Sequence, residues 1–277
     1  MLRLKNLKTN LIQIYSLMVK DFKLSTRHKL EFFVECIAPL LSLFFPYIIF
    51  NTLFNIKNNI FGGYYSKDNF ILFLLLGNCV TVLIFLLWYY QDLFYDEKTW
   101  KTLNAVMIAP IKKINILLGY LISGMISKGI PMIFIIILCY ILYPISLTFL
   151  LLSLIILFCI SITFASMGFI IGVFEIVNED ISASLSIGIS FISLVSCLYY
   201  PIEIFPKEIH FIIKLNPLYY YFDLLRLIWW AGINFEDALS YLTIYHFLVL
   251  AAFTVALPLF ASYLFMKVLD KYGASGY

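Results

Sequence analysis

At 277 residues the chain is 63% hydrophobic, 18% aromatic and only 13% charged, with a mean hydropathy of +0.96. So little polar surface could not cover a soluble domain of this size, which excludes a water-soluble enzyme or regulator. The net charge of +3 comes from cations gathered between apolar blocks, a topology signal that calls for a lipid bilayer and no nucleic acid.

Six apolar blocks, near residues 33–54, 70–90, 114–140, 147–173, 181–200 and 241–266, approach or exceed the roughly 20 residues a helix needs to cross a bilayer. Lipid offers the backbone no hydrogen bonds, and a β-barrel would show alternating segments of about ten residues. The blocks therefore read as six transmembrane helices of an all-α integral membrane protein. The first block starts late and lacks a small-residue cleavage site, so it is not expected to be a removable signal peptide.

Ahead of the first block, residues 1–32 carry Leu2, Leu4, Leu7, Leu11, Ile14, Leu17 and Met18 at spacings of mostly three and four, among seven cations. This predicts an N-terminal amphipathic helix lying in the interface. Pro39 and Pro46 in the first block, Pro131 in the third and Pro258 in the sixth are expected to kink or open their helices. The loop 91–113 mixes Asp92, Asp96, Glu97, Lys98 and Lys101 with Trp100, Leu103, Val106 and Met107. Apolar residues three apart with charges between them predict a short amphipathic helix against the membrane face, a docking surface for a soluble partner.

Lys128 lies about fourteen residues into the third block, an ionisable group at depth. It either lines a polar path or binds an anionic headgroup, or else snorkels or pairs with a neighbouring helix. Gly168 and Gly172 form a GxxxG face with Ala165, suited to packing within the bundle, with a dimer seam as the alternative. The stretch 201–232 is apolar and aromatic, yet broken by Pro201, Pro206 and Pro217 and by six ionisable residues, including Asp223 and Arg226. Each such charge costs about 2.5 to 3.5 kcal/mol near the bilayer centre, so short re-entrant helices fit better than a seventh span. Asp223 and Arg226, three apart, can pair on a helix, and Tyr219, Tyr220, Tyr221, Trp229 and Trp230 are expected at the headgroup level.

With six spans, thirteen cations fall on the side of the termini and the loop 91–113, and five fall on the other. The positive-inside rule then places both termini in the cytoplasm and 201–232 outside. The five cysteines are scattered one per block and read as small buried hydrophobes. No histidine has a ligand-spaced partner, and His246 is expected to hydrogen-bond a neighbouring helix. No phosphate loop, zinc-ligand spacing or nucleophile elbow occurs, so neither catalytic nor metal residues are assigned and no cofactor is expected in this chain.

Asn216-Pro217-Leu218-Tyr219-Tyr220-Tyr221-Phe222-Asp223-Leu224-Leu225-Arg226 has the spacing of an Asn-Pro-Leu-x-Tyr-x-x-Asp-x-x-Arg segment, with Phe205-Pro206 upstream. With six spans and a charged helix after the second, this resembles the membrane subunit of an ABC-2 type (type V) ABC transporter. The family's Gly-Thr-Leu-Glu in the cytoplasmic loop reads Lys101-Thr102-Leu103-Asn104 here, with Pro110 following.

The resemblance implies a single transmembrane domain over 1–277: an amphipathic helix (1–32), spans one to five (33–200), an extracellular re-entrant segment (201–232) and span six (241–266). It implies a separate P-loop ATP-binding subunit, bringing ATP and Mg, docked at Asp92, Asp96, Glu97, Lys98, Trp100, Lys101 and Leu103. Pro206, Asn216, Pro217, Tyr220, Asp223 and Arg226 would hold the re-entrant segment, and Lys128 is a candidate for the translocation path. A second copy or a paralogue would complete that path, in a prokaryotic plasma membrane, for export of an amphipathic drug, a lipid or a lipid-linked glycan. The residues alone leave open an ion-coupled secondary transporter, which would predict inverted repeats and buried acids, or a membrane scaffold that moves nothing.

Overall fold

The computed structural model describes residues 2–56, 69–102, 105–106, 109 and 111–272, and no strand occurs among them. Twelve α-helices are labelled in chain order: α1 Leu2–Ser25, α2 Lys29–Ser42, α3 Phe44–Ile56, α4 Phe70–Ile84, α5 Leu86–Thr99, α6 Lys113–Leu142, α7 Leu147–Val177, α8 Glu179–Val195, α9 Lys207–Leu215, α10 Pro217–Ile233, α11 Phe235–Tyr241 and α12 Ile244–Tyr272.

Among the described residues, five helical stretches are long and apolar enough to cross a membrane: Phe32–Thr52, Phe70–Thr99, Lys113–Leu142, Leu147–Val177 and Ile244–Val268. The block expected at 181–200 is a shorter apolar helix, Asp180–Val195. Its end is set by Ser196, whose N–H turns back to the Ser193 carbonyl at 3.2 Å, and by Cys197, which adopts a left-handed φ of 61°.

The prolines act unevenly. The first span breaks at Leu43, whose N–H reaches Leu40 at 3.2 Å in a 3₁₀ turn. The Pro39 carbonyl is taken by Ser42 Oγ at 2.6 Å and Asn78 Nδ2 at 2.5 Å, and Pro46 has no N–H to close the next turn. Pro131 and Pro258, by contrast, lie inside unbroken helices.

The core forms around the second span, α4 and α5. Its apolar window is 83% buried, against 6% for the first span, so one is the axis of the chain and the other its periphery. Gly168 and Gly172 of α7 let α5 approach closely: a Cβ on Gly168 would strike the Leu86 carbonyl and Leu87 Cα, and one on Gly172 would strike Phe94 and the Tyr90 carbonyl. The GxxxG face thus packs inside the bundle. Tyr90 and Phe94 of α5 meet Phe169 of α7 edge-on at 5.8 and 5.1 Å, and Phe265 of α12 closes on Phe169 at 5.1 Å.

α10 corrects one expectation. Tyr221 and Trp229 are fully buried within the protein and so do not face the headgroups as belt residues would, and Trp229 Nε1 donates to the Tyr143 carbonyl at 3.3 Å. The three-and-four spacing of Leu218, Tyr221, Phe222, Leu225 and Trp229 turns these side chains inward, and α10 packs on α4, α7, α11 and α12. The cysteines are free: Cys79, Cys139 and Cys197 are buried, Cys36 and Cys159 half-buried.

Gly168 and Gly188 make a controlled pair, because nothing lies within 4 Å of a Cβ on Gly188. Gly168→Ala should lower the melting temperature in detergent, as overpacking costs about 1–3 kcal/mol. Gly188→Ala should leave it unchanged or raise it, since helix propensity gains up to about 1 kcal/mol.

Candidate functional site

The sequence-predicted coupling residues sit at the far end of the second span. Nothing between Leu86 and Thr99 interrupts the helix, so Asp92, Asp96, Glu97 and Lys98 ride on α5 as an extension of the span, not on a separate amphipathic helix. The chain leaves α5 at Trp100 and turns through Lys101, whose φ of 56° is left-handed. Trp100, 63% exposed, and Lys101 are presented outward at this tip, and Asp92 is exposed on the helix below. Asp96 and Lys98 are partly buried, and the Lys98 ammonium donates to the Glu175 carbonyl oxygen of α7 at 3.3 Å. Leu103 lies outside the described residues.

Glu97 faces inward, 6% exposed. Its Oε1 accepts from Lys20 Nζ of α1 at 2.5 Å and Tyr120 Oη of α6 at 3.1 Å, and its Oε2 accepts from Thr102 Oγ1 at 2.5 Å. One carboxylate thus joins three helices to the turn, and with three bonded groups its burial is compensated.

Next to Lys20 on α1, Asp21 is also buried and accepts from Tyr89 Oη at 2.7 Å, with Ser123 Oγ 3.3 Å from that hydroxyl. Burial pushes the Asp21 carboxyl above its ordinary 3.8, while the hydrogen bonds from Tyr89 and Ser123 and the charge of Lys20 offset part of the rise. Lys128 resolves as the paired alternative: its Nζ lies 2.7 Å from Glu35 Oε2 of α2 and 5.7 Å from the Tyr89 ring centre.

At the opposite end, the motif residues grip the end of α8. Asn216 caps α10 by accepting from Leu218 N at 3.0 Å, with Pro217 at the first helical position, and donates through Nδ2 to the Ile192 carbonyl at 2.8 Å and Ser196 Oγ at 2.6 Å. Arg226, 4% exposed, sends Nη1 to the Cys197 carbonyl at 2.9 Å and Nη2 to that of Leu198 at 2.5 Å, and stacks 3.5 Å over Phe73. Asp223 and Arg226 therefore take different partners from the ion pair their spacing allowed: Asp223 Oδ2 lies 3.0 Å from His246 Nε2, joining α10 to α12. Tyr220 meets the His246 ring edge-on at 5.3 Å, and Pro206 precedes the first turn of α9 and accepts from Ile209 N at 2.9 Å.

A family model described as ABC-2 type transporter matches residues 12–230, from within α1 to within α10. The chain belongs to the ABC-2 type transporter family. It is the permease component of an ABC transporter, not itself catalytic, and the family implies an ATP-binding partner. A comparison with curated proteins finds none that matches the permease.

Sequence reasoning missed the partners that give these residues their roles. Lys20 and Glu97 are 77 positions apart, and Glu35 and Lys128 are 93 apart, so no local spacing announces either pair. Gly77 is another case: a Cβ there would fall on the Leu198 carbonyl and Arg226 Nη2, so only glycine admits the Arg226 grip.

Glu97→Ala strands Lys20, Thr102 and Tyr120 together, and should lower stability by about 2 kcal/mol and expose α1 to protease, read by thermal melts and limited proteolysis. For Asp21, the folded chain holds the carboxyl proton more tightly than the unfolded chain. Its favourable contribution is complete below pH 3.8 and declines as pH rises toward the raised value. Asp21→Asn should therefore gain stability relative to the parent as pH climbs from 3.8, measured by melts at matched pH.

Proposed function

We propose that this permease forms the membrane path of an ATP-driven exporter, paired with a second copy or a paralogue and driven by a separate P-loop subunit that brings ATP and Mg. The observation that carries the reading is the tip at Trp100 and Lys101, exposed and held from behind by Glu97 through Thr102, α1 and α6. A surface that receives force needs exposed contacting groups and a rigid backing, and the tip has both. Trp100, Lys101 and Asp92 make the contact in this reading, while Asp96 and Lys98 flank it and Glu97 positions the turn.

The paired arrangement is supported by the first span and α8, which leave Phe44, Phe45, Ile187, Phe191 and Leu194 exposed and apolar. A path walled by such residues suits an amphipathic drug, a lipid or a lipid-linked glycan moved out of the cytoplasm. The cation excess beside the termini supports a prokaryotic plasma-membrane protein with both termini inside and 201–232 outside.

The test is co-purification from native membranes in mild detergent, followed by ATPase assay of the complex. A stoichiometric P-loop ATPase is expected. Lys101→Glu with Trp100→Ala should cut its coupled activity roughly tenfold, an effect of about 1.4 kcal/mol, with the melting temperature of the permease unchanged. Coupling at the parental level in that variant would remove the tip from the docking surface, and a permease that is always pure and alone would favour a scaffold.

A further inference from the structure

A cavity of about 430 Å³ opens between α9, α10 and the segment leading into α12. Its deep side holds Arg226 and Phe73, already engaged with each other. Two carboxylates line it from separate elements, Asp223 on α10 and Glu203 in the 3₁₀ turn Ile202–Ile204. Tyr219 and Tyr220 stand edge-on at 5.4 Å, and Tyr220 and His246 at 5.3 Å, so successive ring faces meet near right angles. An acid-lined pocket with crossed ring faces is the chemistry that receives an ammonium group.

The lining carries the opposite sign as well. Lys214 of α9 is exposed, and its position among the lining residues leaves it able to meet an anion. Beside it on α9, Phe211, Ile212 and Leu215 are 59 to 71% exposed, and Ile244 and Tyr245 at the start of α12 are 69 and 65% exposed. A charged cavity with such an apolar border suits a ligand whose polar head is attached to hydrocarbon.

We propose that this cavity binds a phosphate–ammonium zwitterion, the headgroup chemistry of phosphatidylethanolamine, with the ammonium against Asp223, Glu203 and the Tyr220 face and the phosphate at Lys214. The state of Glu203 agrees with this. Burial pushes its carboxyl above the ordinary 4.5 and Asp223 adds to the rise, while a backbone hydrogen bond, His210 and Arg226 offset part of it, so an arriving cation would relieve the remaining unfavourable charge. The cavity lies toward the α4 start of the second span, at Phe73, and the docking tip begins at its far end, some 27 residues or about 40 Å along. Binding there requires neither ATP nor the partner, so its failure and that of the export reading are separable.

Native mass spectrometry of the purified full chain, titrated with palmitoyl-oleoyl phosphatidylethanolamine, phosphatidylglycerol or soluble glycerophosphoethanolamine, tests the assignment. Phosphatidylethanolamine should bind saturably and about fivefold better than phosphatidylglycerol, and Glu203→Gln and Lys214→Ala should each weaken it three- to fivefold at unchanged melting temperature. Asp223→Asn is a poorer probe because it also loosens α10 from α12. Glycerophosphoethanolamine binding as well as the lipid would identify the free zwitterion as sufficient, and its failure to compete would identify the lipid. Equal binding of phosphatidylglycerol, or phosphatidylethanolamine binding indifferent to both substitutions, would overturn the proposal.

Discussion

A guanidinium that is 4% exposed cannot be left without partners, and the way Arg226 meets that constraint sets the geometry of one whole end of the molecule. Its two terminal nitrogens take the Cys197 and Leu198 carbonyls, which are available because α8 has ended and Cys197 has turned the chain through a left-handed φ. Its face lies on Phe73, and Gly77, one turn further along α4, leaves room for the grip. Asn216 takes a second hold on α8, at Ile192 and Ser196, ten residues before Arg226 in the same motif. The Asn-Pro-Leu and Arg ends of the motif are therefore two anchors on one helix terminus. A shift of α8 must carry α10 with it or break both.

The second span connects this end to the exposed tip at Trp100 and Lys101. Because its apolar window is 83% buried among α6, α7 and α10, it cannot bend freely without disturbing packed rings such as Phe94 on Phe169. Force applied at Lys101 would thus enter a rod whose base is tied by Glu97 to α1 and α6 and whose other end supports Arg226. The amphipathic α1 is part of this frame. Through Lys20 and Asp21, adjacent residues of one turn, it bonds both Glu97 and Tyr89 of α5.

The all-α class and the apolar blocks were legible in the sequence because hydrocarbon imposes a simple rule on length and composition. The break at Leu43 followed from Pro39 and Pro46, and the packing of α5 on α7 from Gly168 and Gly172. The inward turn of Tyr221 and Trp229 was not legible, since an aromatic residue suits a headgroup belt and a protein core equally well. Nor was the continuation of the second span through Asp92 to Lys98: charges among apolar residues describe an interfacial helix as well as a span that outruns the bilayer. The inward role of Glu97 depended on Lys20 and Tyr120, residues that only the tertiary fold brings near.

The first span poses a different physical problem. It is almost unburied within the chain, yet its Glu35 carboxylate is joined to Lys128, whose side chain is only 10% exposed, at a depth where an unpaired ammonium costs about 2.5 to 3.5 kcal/mol. Separating α2 from α6 would leave Lys128 with the Tyr89 ring and the charge of Asp92, without the direct contact that Glu35 supplies. Any motion of the peripheral span must then either pivot about this pair or admit water to Lys128. The loosely packed span is thereby restrained at a few points, at Glu35, at the Pro39 carbonyl held by Asn78 and at Phe50 against Phe70, and is exposed over most of its length, a pattern that suits an element able to move more readily than its neighbours.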